Sequence, residues 1–486
     1  MNKSSEQSKW VHLIGICGVT MAPLANMLQK MGWTVTGSDK GIFPPMSDYL
    51  KSRNITIELG YVQDHLTTKY YKRKRGNFFH TQYPDMVVVG NYIGMKNPEY
   101  QFAKSKGMDI KSYPDILKEY VIKSNSIVVA GTYGKTTCTG LLALIFQKAG
   151  KNPSFMIGGI AINFDNSIVN SAGNWSIVEG DEYISARFDP VSKFFHYKTE
   201  FLLLTAAGWE HTDIFITQDD YVKNFKNFVR TIPKHGLIVA KRKGENISQV
   251  IKEASCKVIT YELRQQKSSS VQADWNNVAE KENEGELVIF NKNTKEEFTL
   301  KTKLIGSHNK ENILGCCALA RELDIKIKYI QKSVKQYKGI TRRLEIRHER
   351  GSVKVIDDHA CSPYKVRGSM RALIETFPEW KVTIIFEPNV GNRTEDALPL
   401  FTHVFNQADE VIIPYLKPVK TFKGQKRISG KTLADFLEKV NVNVKYIEDD
   451  DELVEYVASK SKKKHIICFM GAYSFRGMIP QMIKAV

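Results

Sequence analysis

The sequence predicts an α/β protein of three domains: a Rossmann-like N-terminal domain, a central P-loop ATPase-type domain and a C-terminal Rossmann-like domain. Three observations predict it. The chain has 486 residues, room for roughly three domains at about 150 residues each. Short apolar runs alternate with helical segments, and the alternation restarts twice along the chain. A glycine-rich turn ending in Lys-Thr-Thr stands between one such run and a helix, the context of a phosphate loop. Hydrophobic residues make up 42% and charged residues 25%, which excludes collagen, a coiled coil or a wholly disordered chain.

The elements follow in order. VHLIGI (11–16) reads as a strand that ends in Gly15-Ile16-Cys17-Gly18. MAPLANMLQKMG carries apolar residues at helical spacing, and WTVTGSD returns to a strand, completing one βαβ unit. DMVVVGN (85–91) adds a further strand, so residues 1–123 form the first domain. The segment 67–82 reads as an added loop. Within it KYYKRKRG (69–76) is the densest basic run, expected as a solvated loop before a nucleic-acid patch, because no nucleic-acid fold signature accompanies it.

SIVVAG (126–131) opens the second domain and runs through TYGKTT into the apolar helix GLLALIFQKAG. WSIVEGDE (175–182), FLLLTAA (201–207) and HGLIVAKR (235–242) continue the strand pattern. The polar stretch 264–297 is expected as short exposed strands with turns. GSHNKENILGCCALARELDI (306–325) reads as a loop entering a helix, and the domain spans 124–338. From 339 to 486 the alternation restarts with VKVIDD (353–358), KVTIIFEPN (381–389), EVIIPY (410–415) and HIICFMG (465–471).

Lys and Arg number 70 and Asp and Glu 52, a formal net charge of +18. That excess admits anionic partners without choosing among them; neither a nucleic acid nor a membrane is expected. No run approaches the roughly 18 apolar residues of a membrane span, and the N-terminus MNKSSEQSKW is polar. Seven cysteines without a Cys-x-x-Cys pair point to a reducing, cytoplasmic setting.

Gly131-Thr132-Tyr133-Gly134-Lys135-Thr136-Thr137 is the strongest chemical signal. Backbone N–H groups of such a turn, with the helix N-terminus, surround a phosphate. Lys135 adds a point charge and Thr136 a ligand for Mg²⁺. Glu179-Gly180-Asp181-Glu182 ends a strand, where a carboxylate can hold Mg²⁺; alone it would read as a surface turn. His211, in Glu210-His211-Thr212-Asp213, is equally a metal ligand or a partly buried histidine. In the first domain Gly15-x-x-Gly18 permits close backbone approach at a helix start. Asp39 stands where a ribose-binding acid belongs in a dinucleotide fold. The full G-x-G-x-x-G is absent, so NAD binding is not supported; a diphosphate carrying another nucleoside is equally compatible, and packing alone would also explain the glycine pair.

GTxGKTT, EGDE, EHTD, GSHNKEN, RRLE and DDHA, in this order, resemble the signature of the Mur ligase family. The resemblance runs from His12 to the C-terminus. It implies ATP-dependent amide-bond formation in bacterial cell-wall synthesis. In that reaction ATP phosphorylates the lactyl carboxylate of UDP-N-acetylmuramate, and an amine displaces the phosphate. Two members are similar: one that adds L-alanine, and one that joins a salvaged L-alanyl-γ-D-glutamyl-meso-diaminopimelate tripeptide in peptidoglycan recycling. The segments HLIGICGVTMAPLA, GSDKGIFPPMS, VVVGNYIGMKNPE, FMIGGIAINF and GDEYISARFDPVSKFFHY resemble the second.

The resemblance implies the remaining roles. Gly15, Gly18, Asp39 and Asn91 would hold the UDP-sugar. Gly131, Thr132, Gly134, Lys135, Thr136 and Thr137 would hold the ATP phosphates. Thr136, Glu179 and His211 would hold Mg²⁺, the last three with Lys135 forming the catalytic set. His308, Asn309 and Asn312 would contact adenine, Arg343 the phosphates and Asp358 the ribose. Arg393 is a carboxylate clamp for the incoming peptide or a solvated surface arginine. A monomer or homodimer is expected. Ala206, Glu210, Cys361 and Ser362 depart from the family pattern, which has Asn, Asp, His and His there. His359, two residues from Cys361, is a weaker candidate for the missing positive charge. These departures bear on peptide specificity and turnover, so a non-catalytic UDP-sugar or nucleotide-binding relative stands beside the two ligases.

Overall fold

The computed structural model describes residues 8–75, 79–209, 214–263, 273–281, 285–418, 427–440 and 442–486. The chain forms two compact units, Met1–Lys303 with Glu311–Lys338, and Leu304–Lys310 with Gly339–Val486.

The first unit carries two sheets built on parallel strands. The N-terminal sheet has the order Thr56–Leu59, Thr34–Asp39, Trp10–Ile14, Met86–Val89, Ile110–Ser112, all parallel. The order reverses between the strands ending at Ile14 and Val89, so the crevice beyond their carboxyl ends is where a ligand binds in such sheets. The helix Met21–Lys30 follows the first strand, with its apolar residues from Met21 to Leu28 buried.

The larger sheet centres on Asn125–Ala130, flanked by Phe201–Leu204 on one side and Trp175–Gly180 on the other. Leu237–Lys241 and Lys257–Glu262 extend it in parallel. Trp275–Lys281, Glu286–Asn291 and Glu297–Lys301 continue it as an antiparallel meander. Strands are present as expected for 264–297, whose first residues lie outside the described ones, but they are not exposed: Trp275, Leu287, Ile289 and Phe298 are buried, because alternate residues of the meander face the core. A small hairpin, Ile184–Ala186 with Asp189–Ser192, follows the strand that ends at Gly180. The two sheets of this unit share buried apolar residues, and Tyr49 Oη donates to Asn166 Oδ1 across them at 2.6 Å.

The segment 67–82 is not a plain loop. Thr68–Arg75 is helical. Its charge is real, but Tyr71 is fully buried, and Phe79 stacks on Trp10 with ring centroids 3.9 Å apart. Tyr70 Oη and Lys74 Nζ both donate to Glu58 of the neighbouring strand, at 2.9 and 2.5 Å. Two aromatic anchors inside a basic run fold it down, a signal that charge density alone hides.

The second unit is one sheet in the order Glu345–Arg350, Val353–Asp358, His465–Gly471, Lys381–Glu387, Glu410–Pro414, Val444–Ile447. All pairs are parallel except the first. Each strand buried on both faces reads as a continuous apolar run, as Ile384, Ile385 and Phe386 show. The helix expected within 306–325 is Ser307–Glu322. All seven cysteines are free thiols. Among the described residues no helix is long and apolar enough to cross a membrane.

Candidate functional site

Residues 131–134 join the strand Asn125–Ala130 to the helix Lys135–Lys148. Gly131 and Gly134 have φ of +133° and +80°, a region L side chains rarely adopt. A Cβ on Gly131 would fall 2.4 Å from Thr205 Oγ1, and one on Gly134 would fall 2.4 Å from Asn312 Oδ1. The adjacent strand end holds the loop: Thr132 N–H donates to Ala206 O at 3.3 Å, and the Thr205 hydroxyl donates to Tyr133 O. Ala206 therefore serves through its backbone. No side chain caps the helix start, so its first-turn N–H groups suit an anion. The loop fits a phosphate.

Lys135 opens that helix. Its Nζ donates to Gly131 O at 2.7 Å and to Glu182 Oε2 and Oε1 at 3.0 and 3.3 Å. Burial opposes the ammonium charge, yet the carboxylates of Glu182, Asp181 and Glu179 raise its pKa above the ordinary lysine value. Burial likewise opposes charge on Asp181, and Lys193 and Lys135 outweigh it and lower its pKa. Lys193 Nζ lies 2.5 Å from Asp181 Oδ2.

Thr136 Oγ1 donates to Glu179 Oε1 at 3.2 Å, and Gly158 N–H donates to Glu179 Oε2 at 2.9 Å. Thr136 is buried and Glu179 half-buried. A hydroxyl and a carboxylate oxygen thus converge beside the phosphate loop. Mg²⁺ takes one or two carboxylates together with waters and substrate phosphates, so this pair fits it. Among the described residues no group of three His, Cys, Asp or Glu is arranged for a metal. His211 and Glu210 lie outside the described residues.

In the first domain Gly15 has φ of +85°, and its N–H donates to Ser38 O at 2.8 Å. Gly18 is not sterically forced, since an added Cβ would meet Met21 at an ordinary 3.4 Å. Asp39 ends its strand beside this turn: Oδ2 accepts from Cys17 N–H at 2.9 Å and Oδ1 from Gly41 N–H at 3.4 Å. Asn91, half-buried, sits in the turn after the strand ending at Val89.

Beneath that edge lies a buried polar cluster that motif reading missed. Glu99 is fully buried. It accepts from Ser38 Oγ, from Val62 N–H at 3.2 Å and from His65 Nδ1 at 2.7 Å. His12 Nε2 lies 3.7 Å from it. Burial works against its charge, but His12, His65 and Ser38 lower its pKa to about 2.

Of the adenine candidates, Asn312 packs on the phosphate loop, whereas His308 and Asn309 group with the second unit. Asn309 Nδ2 donates to Ile305 O at 2.8 Å, and His308 is exposed. In the second unit Arg343 is exposed. Its neighbour Arg342 is structural, donating to Asp357 at 3.1 Å and to Gly471 O at 2.8 Å. Asp358 accepts from Leu344 N–H at 3.2 Å and from Ser369 Oγ. Burial raises its pKa. Cys361 is buried, and burial raises its thiol pKa. Burial, then Arg342, Lys365 and Arg343, lower the pKa of His359 to about 4, which counts against it as the source of the missing charge.

Arg393 is no solvated surface arginine, for it is 3% exposed. Its Nη2 donates to Lys417 O at 2.6 Å, while its Nε has no hydrogen-bond partner among the described residues. Glu387, which sequence reading missed, closes the strand Lys381–Glu387 and is 4% exposed. Its Oε2 makes no hydrogen bond among the described residues, with Arg476 Nη1 3.7 Å away. Burial raises its pKa against the pull of Arg476 and Arg393. The signal for Glu387 was its place at a parallel strand's carboxyl end.

Three family models match the chain in succession: the Mur ligase family, catalytic domain, at 10–124; the Mur ligase middle domain at 129–320; and the Mur ligase, glutamate ligase domain, at 342–473. A UDP-N-acetylmuramate–L-alanine ligase of Clostridium botulinum is 29% identical over 96% of both chains. A UDP-N-acetylmuramate–L-alanyl-γ-D-glutamyl-meso-2,6-diaminoheptanedioate ligase of Haemophilus influenzae is 28% identical over 97% of both. The solved UDP-N-acetylmuramate–alanine ligase of Thermotoga maritima shares the fold, with a TM-score of 0.75, 22% identity and 98% of each chain covered. With all three domain models in order on one α/β chain, this protein belongs to the Mur ligase family and is an ATP-dependent ligase of peptidoglycan synthesis.

Proposed function

We propose that the chain joins UDP-N-acetylmuramate to the tripeptide L-alanyl-γ-D-glutamyl-meso-diaminopimelate, as a recycling ligase. The observation that carries the peptide reading is the pair Arg393 and Glu387. A buried guanidinium and a buried carboxylate each keep a polar atom to spare. A diaminopimelate side chain ends in a carboxylate and an ammonium, which such a pair would take together. L-Alanine offers a carboxylate but no ammonium besides the amine that reacts, so it cannot engage both members of the pair.

In this reading residues 1–123 hold the UDP-sugar, 124–338 the nucleotide, and 339–486 the acceptor. The Gly15–Gly18 turn approaches the diphosphate, Asp39 accepts hydrogen bonds from the nucleoside, and Asn91 faces the sugar. The phosphate loop holds ATP, with Lys135 at the phosphates; Asn312, His308 and Asn309 serve adenine, Asp358 the ribose and Arg343 the phosphates. Thr136 and Glu179, with His211, would hold Mg²⁺, whose chemistry is to neutralise charge on the phosphoryl oxygens. A lactyl carboxylate oxygen attacks the γ-phosphorus and ADP leaves. The peptide amine then attacks the acyl carbon, loses a proton, and inorganic phosphate departs. Lys135 stabilises charge that develops on the transferred group.

The L-alanine reading stays as the alternative, because a relative of that name is as similar as the peptide ligase. ADP release with UDP-N-acetylmuramate and either L-alanine or the tripeptide separates the two. Turnover with the tripeptide supports the proposal; turnover with L-alanine alone overturns it.

A further inference from the structure

Tyr221 lies on the helix Gln218–Arg230, away from every motif. Its ring is fully buried, with Phe215 edge-on at 5.1 Å and Phe225 at 5.2 Å. Phenylalanine would serve that packing equally. The hydroxyl is therefore an added polar group in an apolar setting, and such a group is costly unless bonded.

The hydroxyl is spent on the nucleotide site. It donates to Glu182 Oε1 at 2.9 Å and lies 3.3 Å from Thr132 Oγ1 in the phosphate loop. Thr132 Oγ1 in turn donates to Gly208 O at 2.7 Å. Glu182 is fully buried, and it holds Lys135 Nζ through both oxygens. One carboxylate oxygen is thus shared between the tyrosine and the lysine. The sharing matters because Lys135 here lies on Glu182 and Gly131 O, and it must turn its donors to a phosphate for ATP to bind.

We propose that Tyr221 is a positioning residue for the phosphate-loop lysine, acting through Glu182. By donating to Oε1 it occupies part of the carboxylate and weakens the hold of Glu182 on Lys135. Without the hydroxyl Oε1 is given over to the ammonium, and the lysine is held more tightly away from the nucleotide. The inference rests on the reading of Lys135 as a phosphate contact.

The test is steady-state ADP release with ATP and UDP-N-acetylmuramate varied in turn, for Tyr221→Phe, Glu182→Gln and the double variant. Tyr221→Phe should raise KM for ATP about tenfold, the scale of one charge-assisted hydrogen bond, and leave KM for the UDP-sugar unchanged. Glu182→Gln keeps the side chain's shape and drops its charge, so it should lower KM for ATP or leave it unchanged by freeing the lysine; a raised KM there overturns the proposal. In that background the tyrosine has no carboxylate to share, so Tyr221→Phe should add nothing. An unchanged KM for ATP in Tyr221→Phe overturns the proposal. So does an equal effect in both backgrounds, or an equal rise in KM for the UDP-sugar, since each marks packing alone. Lys135→Ala, run beside them, separates the levels: full ADP release there defeats the phosphate reading itself.

Discussion

Gly158→Ala tests the placement of Glu179 without replacing a charged residue. An ideal Cβ on Gly158 would lie 2.4 Å from Glu179 Oε2 and 2.8 Å from its Cδ. The backbone of Gly158 is not left-handed, so alanine adds no φ strain. The carboxylate must retreat by about 1 Å, and a misplacement of about that size costs roughly 10²-fold in rate when it falls on the reacting geometry. Because Glu179 is the far end of a flexible side chain, the fold absorbs the change. Losing the Gly158 N–H bond costs about 1.5–3 kcal/mol at most, offset in part by about 0.4–1 kcal/mol for replacing glycine. The assay is ADP release against Mg²⁺ concentration at saturating ATP and UDP-N-acetylmuramate, with thermal unfolding in parallel. The expected result is a kcat lowered on the order of 10²-fold and a higher Mg²⁺ requirement. A wild-type kcat with wild-type Mg²⁺ dependence would refute Glu179 as the metal carboxylate.

Three further predictions follow from other parts of the molecule. Lys135→Ala should abolish ADP release while calorimetry finds UDP-sugar binding unchanged; a variant that turns over normally contradicts the phosphate-loop reading. Asp39→Ala should weaken UDP-N-acetylmuramate binding by about 10–150-fold, the worth of one charge-assisted bond, and spare ATP; equal UDP-sugar affinity would move the nucleoside site elsewhere. Glu99 titrates at about 2 in the folded chain against 4.5 ordinarily. Its folded pKa is depressed, so its stabilisation is present above about pH 4.5 and lost as pH falls towards 2, on the order of 3 kcal/mol in all. Urea midpoints for wild type and Glu99→Gln should therefore converge as the pH falls through that window, and a constant gap would contradict the linkage.

The glycine turn between strand and helix was legible because its pattern is local. Two glycines, a lysine and two threonines stand together between a strand and a helix, and the structure keeps them there. Asp39 was legible for the same reason, as the last residue of a strand in a βαβ unit. Glu182 stood in a motif read only for its metal carboxylate, and its partner Tyr221 is 39 residues away. A helix register decides which side chain faces a distant carboxylate, and a single sequence does not carry that pairing. Thr68–Arg75 was misread because basic charge outweighs two tyrosines in any composition measure, although burial of Tyr71 and the stack of Phe79 on Trp10 fix the segment. Arg393 shows the opposite limit. Arginine is almost never fully buried unless paired, so burial beside Glu387 becomes visible only when the strand ends are brought together.

The measurement that tests the account most directly is ADP release by the purified chain with ATP, Mg²⁺ and UDP-N-acetylmuramate, offered in turn L-alanine, the L-alanyl-γ-D-glutamyl-meso-diaminopimelate tripeptide, and the same tripeptide ending in L-lysine. The account predicts turnover with the diaminopimelate peptide, less with the lysine peptide, which lacks the second carboxylate for Arg393, and none with L-alanine. Turnover with L-alanine and none with either peptide would contradict it.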